Sequence, residues 1–294
     1  MPQFFDSSPD RVRTAIRQRL ESLQRAGLTH LPRRRASSSL PAADQPRPAG
    51  KEPASPSVPP AGAAGEPARE EPADSGSLGP LGTAPMPTGL SAEAKAEYVR
   101  RCVALNEVAE RVKNCPRCPD LVATRTQTVF GTGSPLARLA FLGEAPGADE
   151  DRQGIPFVGR AGKLLTDMIE RGMKIRREDV YILNIVRCRP PGNRTPLPPE
   201  AASCREYLDA QLAIVRPEFL CCLGACAAQS LLGTSSPLGR LRGRVHDYEG
   251  IKVVCTYHPA YLLRAPNMKR AAWEDLQLLM REMGLPVPSG PSPK

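Results

Sequence analysis

Aromatic residues are scarce: the 294-residue chain has six Phe, six Tyr and one Trp. None occurs between Phe5 and Tyr98, so the N-terminal third lacks the large apolar side chains that a core needs. There is no apolar run of about 18 residues or more, which excludes a membrane-spanning helix. The start, MPQFFDSSPDRVR, lacks the apolar stretch of a secretory signal. We therefore expect a cytoplasmic protein with no membrane partner. No G-x-G-x-x-G is present and no P-loop GK[ST] follows a strand-like run, which argues against nucleotide cofactors. No G-x-S-x-G elbow and no H-E-x-x-H is present, which argues against triad hydrolases and zinc peptidases.

Basic residues, by contrast, are in surplus. The formal charge is +9 and the pI about 9.3, which suits a polyanionic partner such as nucleic acid. From Lys95 onward there are 29 Lys or Arg against 21 Asp or Glu. Nine cysteines in a reducing compartment read as thiols or metal ligands rather than disulfides.

The chain divides by composition. Residues 1–31 contain SPDRVRTAIRQRLESLQRAGL, with Val12, Ile16, Leu20 and Leu23 at helical spacing, Ser8 to cap and Gly27 to stop. That short amphipathic helix has nothing nearby to bury its stripe against, so it docks on a partner protein or back on the core. Residues 32–93 form a disordered linker: 13 prolines fall in the 59 residues from Pro32 to Leu90, and such a segment cannot offset its chain entropy. The folded domain spans 94–286, with a disordered tail at 287–294.

Within the domain, apolar strand-like runs alternate with amphipathic helical segments. The strands are RLAFLGEAP, DVYILNIVRCRPP, PEFLCCLGA and GIKVVCTYHPAYLL. Such alternation predicts a mostly parallel sheet covered on both faces. Glu144, Asn184 and His258 each fall just past a strand, and in an open parallel sheet those ends share the edge where ligands bind. Singly, each has a plain structural reading, as a helix start, a turn residue or a loop ligand. Three strand exits supplying Glu, Asn and His together point to a site.

Cysteine spacing suggests a second constellation. Cys115 and Cys118 form a C-x-x-C turn, Cys188 follows Asn184 by four residues, and Cys204 lies in the next helix. Two close and two distant thiols suit zinc or an iron–sulfur cluster. Cys221, Cys222, Cys226 and Cys255 read as core thiols, and Cys102 as helix filler.

GEAPGADEDRQGIPFVGRAG, NIVRCRPPGNRTP and TYHPAYLLR closely resemble the motifs of family 4 uracil-DNA glycosylases, the iron–sulfur type. The resemblance runs from about Glu97 to Met283. It implies a three-layer α/β/α fold round a central four-stranded parallel sheet, with the cluster near one edge. It implies excision of uracil from single- or double-stranded DNA by a monomer, through a flipped base. Asn184 matches the residue that pairs with uracil O4 and N3–H, Phe157 the aromatic that stacks on the base, and His258 the residue that approaches O2. Backbone groups from Glu144 through Ala145 to Gly147 also meet O2. Better-known uracil glycosylases carry an Asp where Ala145 stands, so the water-orienting carboxylate falls to Glu144, with Glu150 as second candidate. The resemblance makes Cys115, Cys118, Cys188 and Cys204 ligands of a [4Fe–4S] cluster. Leu262 and Leu263 are the expected wedges that fill the gap left by the base. Arg264 and the GRLRGR residues Arg240, Arg242 and Arg244 are expected phosphate contacts.

Three rivals remain at this level. A covalently trapping uracil-DNA binder would need a His in an insertion after the Asn-bearing strand, and RCRPPGNRTPLPPE has neither. A non-catalytic iron–sulfur module that binds nucleic acid would not need Asn184, Phe157 and His258 together. A hydrolase of small nucleotides would not need wedge leucines.

Overall fold

The computed structural model describes residues 86–288. The N-terminal amphipathic stretch and most of the Pro-rich segment lie outside them. The first helix begins slightly before the expected boundary, because the Ser91 hydroxyl accepts a hydrogen bond from the Ala94 N–H and caps it.

The described elements, in chain order, open with α1 (Ala92–Lys113), α2 (Pro119–Thr124), β1 (Thr132–Gly133) and β2 (Leu139–Gly143). Next come α3 (Ala148–Gln153), α4 (Gly159–Asp167), β3 (Tyr181–Asn184) and α5 (Pro198–Val215). The chain closes with β4 (Phe219–Leu223), α6 (Ala225–Leu232), α7 (Leu238–Leu241), β5 (Val245–Tyr248), β6 (Ile251–Thr256), α8 (Pro259–Arg264) and α9 (Lys269–Glu282).

One six-stranded sheet runs in the order β1-β3-β2-β4-β6-β5. The inner four strands pair in parallel, and β1 and β5 add antiparallel edges. The sheet is thus larger than the four strands expected. One missed strand, β1, has only two residues. The other, β5, is half of a hairpin whose turn takes positive φ at Glu249 and Gly250 (52° and 84°), the backbone that a tight hairpin requires. Its side chains are half-exposed and lack apolar alternation, which hid it.

Every residue of β2, β3 and β4 is buried, as expected for strands covered on both faces. One face packs Leu142, Leu183 and Leu220 with residues of α1 and α5. The other packs Phe141, Ile182 and Cys221 with Leu165 of α4 and Leu276 of α9. The sheet therefore sits between two helical layers, and its parallel register brings the ends of β2, β3, β4 and β6 to one edge. Gly143 stands opposite Asn184, and Leu223 opposite Thr256.

Candidate active site

That edge opens into a cavity of about 1630 Å³, larger than the usual small-molecule site of roughly 300–1,000 Å³. Glu144, Glu150, Phe157, Asn184 and His258 all line it, with Ala145 and Gly147. The strand ends bring together residues up to 114 positions apart in the chain.

Asn184 is almost fully buried, and its side-chain Oδ1 has no hydrogen-bond partner. A buried carbonyl oxygen without a donor is costly, by about 1–3 kcal/mol, unless a ligand supplies one. The backbone beneath Asn184 is held firmly. Arg187, fully buried, donates from Nη1 to the carbonyls of Asn184 (2.7 Å) and Ile185 (2.9 Å) and from Nε to Gln211 Oε1 (3.1 Å). Gln211 in turn donates to Tyr181 Oη and the Phe130 carbonyl. A charged residue at the base of a strand exit had no distinguishing mark in NIVRC.

Phe157 covers the same spot. A Cβ on Gly143 would lie 2.6 Å from the Phe157 ring and would collide with Asn184 Oδ1. Only glycine leaves room there. The Phe157 ring also lies 5.5 Å from that of His258, centroid to centroid. His258 caps α8: its Nδ1 accepts from the Ala260 N–H at 3.1 Å. With Nδ1 as acceptor, a neutral ring carries its proton on Nε2. Burial, and secondarily the Arg264 charge, pull the His258 pKa down from 6.5 to about 4, so the ring is neutral at pH 7 and donates from Nε2.

The two carboxylates differ. Glu150 Oε2 accepts from the Gly147 N–H at 3.1 Å, reaching back to the residue that precedes α3. Burial raises its pKa, against the pull of that backbone bond. Glu144 is half-buried in the cavity wall beside Cys226. Cys226 is not the core thiol expected from its apolar context. It lines the cavity, because α6 turns its second residue toward the sheet edge. Burial, with Glu144 adding to it, pushes its pKa up to about 12, so it is a thiol and not a nucleophilic thiolate.

The expected DNA contacts separate. Arg240, Arg244 and Arg264 are exposed, and Arg264 lies at the cavity wall. Arg242 is engaged within the protein: Nε pairs with the buried Asp275 at 2.9 Å, and the guanidinium lies over the Tyr257 ring. Leu262 is 1% exposed, so it is no surface wedge as it stands. The segment is helical, and a helix turns each residue about 100° from the last, so consecutive leucines cannot face the same way. Leu263 is half-buried. Tyr261, exposed and stacked on Tyr257 at 5.4 Å, is the apolar side chain that reaches the surface.

A second, smaller cavity is lined by Cys115, Cys118, Cys188 and Cys204 together with Arg125. Arg125 donates from Nη1 to Cys188 Sγ at 2.9 Å and from Nη2 to the Cys115 carbonyl at 3.2 Å. Among the described residues, no three His, Cys, Asp or Glu side chains converge as ligands of one metal ion. The next residues tie this corner to the first cavity. Thr126 N–H donates to the buried carboxylate of Asp151, at 2.9 Å to Oδ1, and Gln127 Nε2 to the Arg152 carbonyl. His246 lies elsewhere, in β5, bonded through Nε2 to the Leu241 carbonyl.

Residues 130–277 match the uracil DNA glycosylase superfamily. A type-4 uracil-DNA glycosylase of Thermotoga maritima is 47% identical over 174 residues, 58% of this chain and 90% of that protein. The chain belongs to the type-4 uracil-DNA glycosylases. A second type-4 enzyme, from Archaeoglobus fulgidus, is 40% identical over 63% of this chain and 96% of its own length. A type-5 uracil-DNA glycosylase of Pyrobaculum aerophilum is more distant, at 29% identity over 60% and 90%. The superfamily match begins at Phe130 and takes in β2, β3 and the strand exits that build the cavity. Among the described residues, no helix is long and apolar enough to cross a membrane.

Proposed function

We propose that this chain removes uracil from DNA by hydrolysing its N-glycosidic bond, leaving an abasic site for repair. The observation that carries this reading is the buried, unpartnered Oδ1 of Asn184, opening on a cavity covered by Phe157 and faced by a neutral His258.

Uracil presents a donor at N3–H and an acceptor at O4. Asn184 matches both, accepting at Oδ1 and donating from its NH₂ group. Phe157 stacks on the ring. When the C1′–N1 bond breaks, its electron pair goes to the base, and O2 gains charge. His258 donates to O2 from Nε2, a bond that strengthens as the charge develops. The Ala145 N–H adds to it, since Pro146 has no N–H and that of Gly147 is held by Glu150 Oε2. Water then bonds to C1′ of the sugar cation and gives up a proton to solvent, while the released uracil anion takes one up, so that neutral uracil and an abasic sugar result. Glu144 orients that water, whereas Glu150 holds the loop through Gly147. This mechanism needs no second subunit, since every group comes from one chain.

Arg240, Arg244 and Arg264 supply exposed positive charge for phosphates, while Arg242 serves the fold. Leu263 and Tyr261 take the wedge role in place of Leu262. The glycosylase domain corresponds to residues 94–286. The four cysteines hold a [4Fe–4S] cluster. The donor set suits it: four thiols line one space beside a guanidinium. When bound, the cluster would cross-link the N-terminal C-x-x-C loop to the segment leaving β3.

The test is incubation with end-labelled DNA containing one uracil, followed by alkali. We expect cleavage at uracil and not at thymine, and loss of cleavage with Asn184→Ala. An intact strand from protein that carries its iron would overturn the assignment.

A further inference from the structure

Phe157 has φ 54°, a left-handed conformation that costs a non-glycine residue of order 1–3 kcal/mol and persists only where the surroundings enforce it. Three features do so. Gly162 leaves no Cβ where the Phe157 carbonyl packs against it, and any side chain there would overlap that carbonyl. Arg177 donates from Nη2 to the Pro156 carbonyl (3.1 Å) and to the Phe157 carbonyl (3.0 Å). Arg177 Nη1 also reaches Thr166 Oγ1 at 3.0 Å, and that hydroxyl donates to the Gly162 carbonyl at 3.1 Å. The Arg177 backbone N–H is itself held by Glu170 Oε1 at 3.2 Å. Glu170 lies in the π-helical turn Met168–Gly172 that ends α4.

We propose that Arg177 is a positioning residue for base recognition, clamping the Phe157 backbone so that its ring forms one wall of the uracil pocket. It acts only through Phe157. Arg177 is not among the residues lining the cavity, and its guanidinium is spent on two carbonyls and one hydroxyl. A lysine has a single ammonium in place of the planar fork, so it can keep one of these bonds but not the set. Burial of the guanidinium lowers the Arg177 pKa, with Glu170 opposing, in keeping with a group turned inward rather than toward phosphate.

The inference rests on the uracil-excision reading, so the wild-type chain must first cleave uracil DNA. Its failure there would remove that reading and this one with it. The experiment then compares affinity for two DNAs. One carries 2′-deoxy-2′-fluorouridine, whose fluorine disfavours the sugar cation and keeps the base attached. The other carries a stable abasic analogue with no base to stack. For Arg177→Ala we expect roughly tenfold weaker binding of the fluorouridine DNA, the size of one lost base–aromatic stack, and unchanged binding of the abasic DNA. Arg177→Lys should fall between, and serves alone if the alanine variant does not fold. In a Phe157→Ala background, either Arg177 change should add nothing. Equal weakening on both DNAs, or a full additive loss in the double variant, would overturn the proposal.

Discussion

Gly143 and Asn184 stand opposite each other in the parallel register of β2 and β3, and a methyl group on Gly143 would meet both the Asn184 amide oxygen and the Phe157 ring. Two neighbouring strands thus leave a gap one side chain deep, with the Asn184 amide and the Phe157 ring on its borders. Gly143→Ala should displace both. We expect kcat/KM on uracil DNA to fall by about 100-fold, the usual penalty for misplacing a recognition group by ~1 Å. Unchanged turnover in a folded variant would mean that the base does not sit there.

Asn184→Ala tests recognition from the other side. Asn184 Oδ1 has no hydrogen bond to lose within the protein, so melting temperature should change little. Uracil excision should drop by about 10²–10³-fold, as for other preorganised donors and acceptors. A large loss of stability without that drop would assign Asn184 to the fold instead.

The pH profile should reflect a neutral histidine. With its pKa drawn down to about 4 by burial, His258 stays uncharged throughout the neutral range. We expect no inflection near 6.5 in kcat/KM and a fall near pH 4. Stability follows the same sign: the unfolded chain binds a proton on this residue from about 6.5 downward, so the fold loses stability as pH drops from 6.5 to about 4. A step near 6.5 that vanishes in His258→Gln would show that the ring titrates as an exposed one.

The two leucines of HPAYLLR should behave differently. Leu262→Ala removes a buried side chain and should cost about 2–5 kcal/mol of stability in urea titration. Leu263→Ala should cost less than about 1 kcal/mol and instead weaken binding to uracil-containing duplex. The reverse order would restore Leu262 as the wedge, through a helix that rotates on binding DNA.

Arg125 touches Cys188 Sγ and the Cys115 carbonyl. Arg125→Ala should speed the loss of iron and of visible absorbance on exposure to a chelator, measured at constant protein concentration. The segment that follows is pinned to Asp151, so iron loss should also loosen residues 147–154, read as faster amide hydrogen exchange. Iron retention equal to wild type would assign Arg125 to local folding alone.

Much of the site was legible in the sequence because parallel strands are simple to find. A strand buried on both faces is a nearly unbroken apolar run, and the first polar residue after it lies at the binding edge. Glu144 follows from that rule, Asn184 closes β3 itself and His258 lies two residues past β6, and the fold gathers all three at one cavity. The edge strands escaped for the converse reason: β1 is too short, and β5 is half-exposed, so neither carries the apolar signature. In the same way, Arg187 ends the apolar run ILNIV while Arg177 and Asp151 lie in polar stretches, and nothing local marks any of the three as turned inward.

The sequence by itself determined the order of the four parallel strands and the longer helices between them, the residues near the strand ends and the surplus of positive charge, because each depends on local pattern or composition. Only the tertiary structure decided which neighbour faces inward. It buried Leu262 and left Tyr261 exposed, engaged Arg242 with Asp275, turned Cys226 into the cavity, fixed Glu150 on the Gly147 N–H and made His258 neutral. The physical reason is that orientation, burial and pKa are set by what packs against a side chain from elsewhere in the fold, and those partners are distant in the chain.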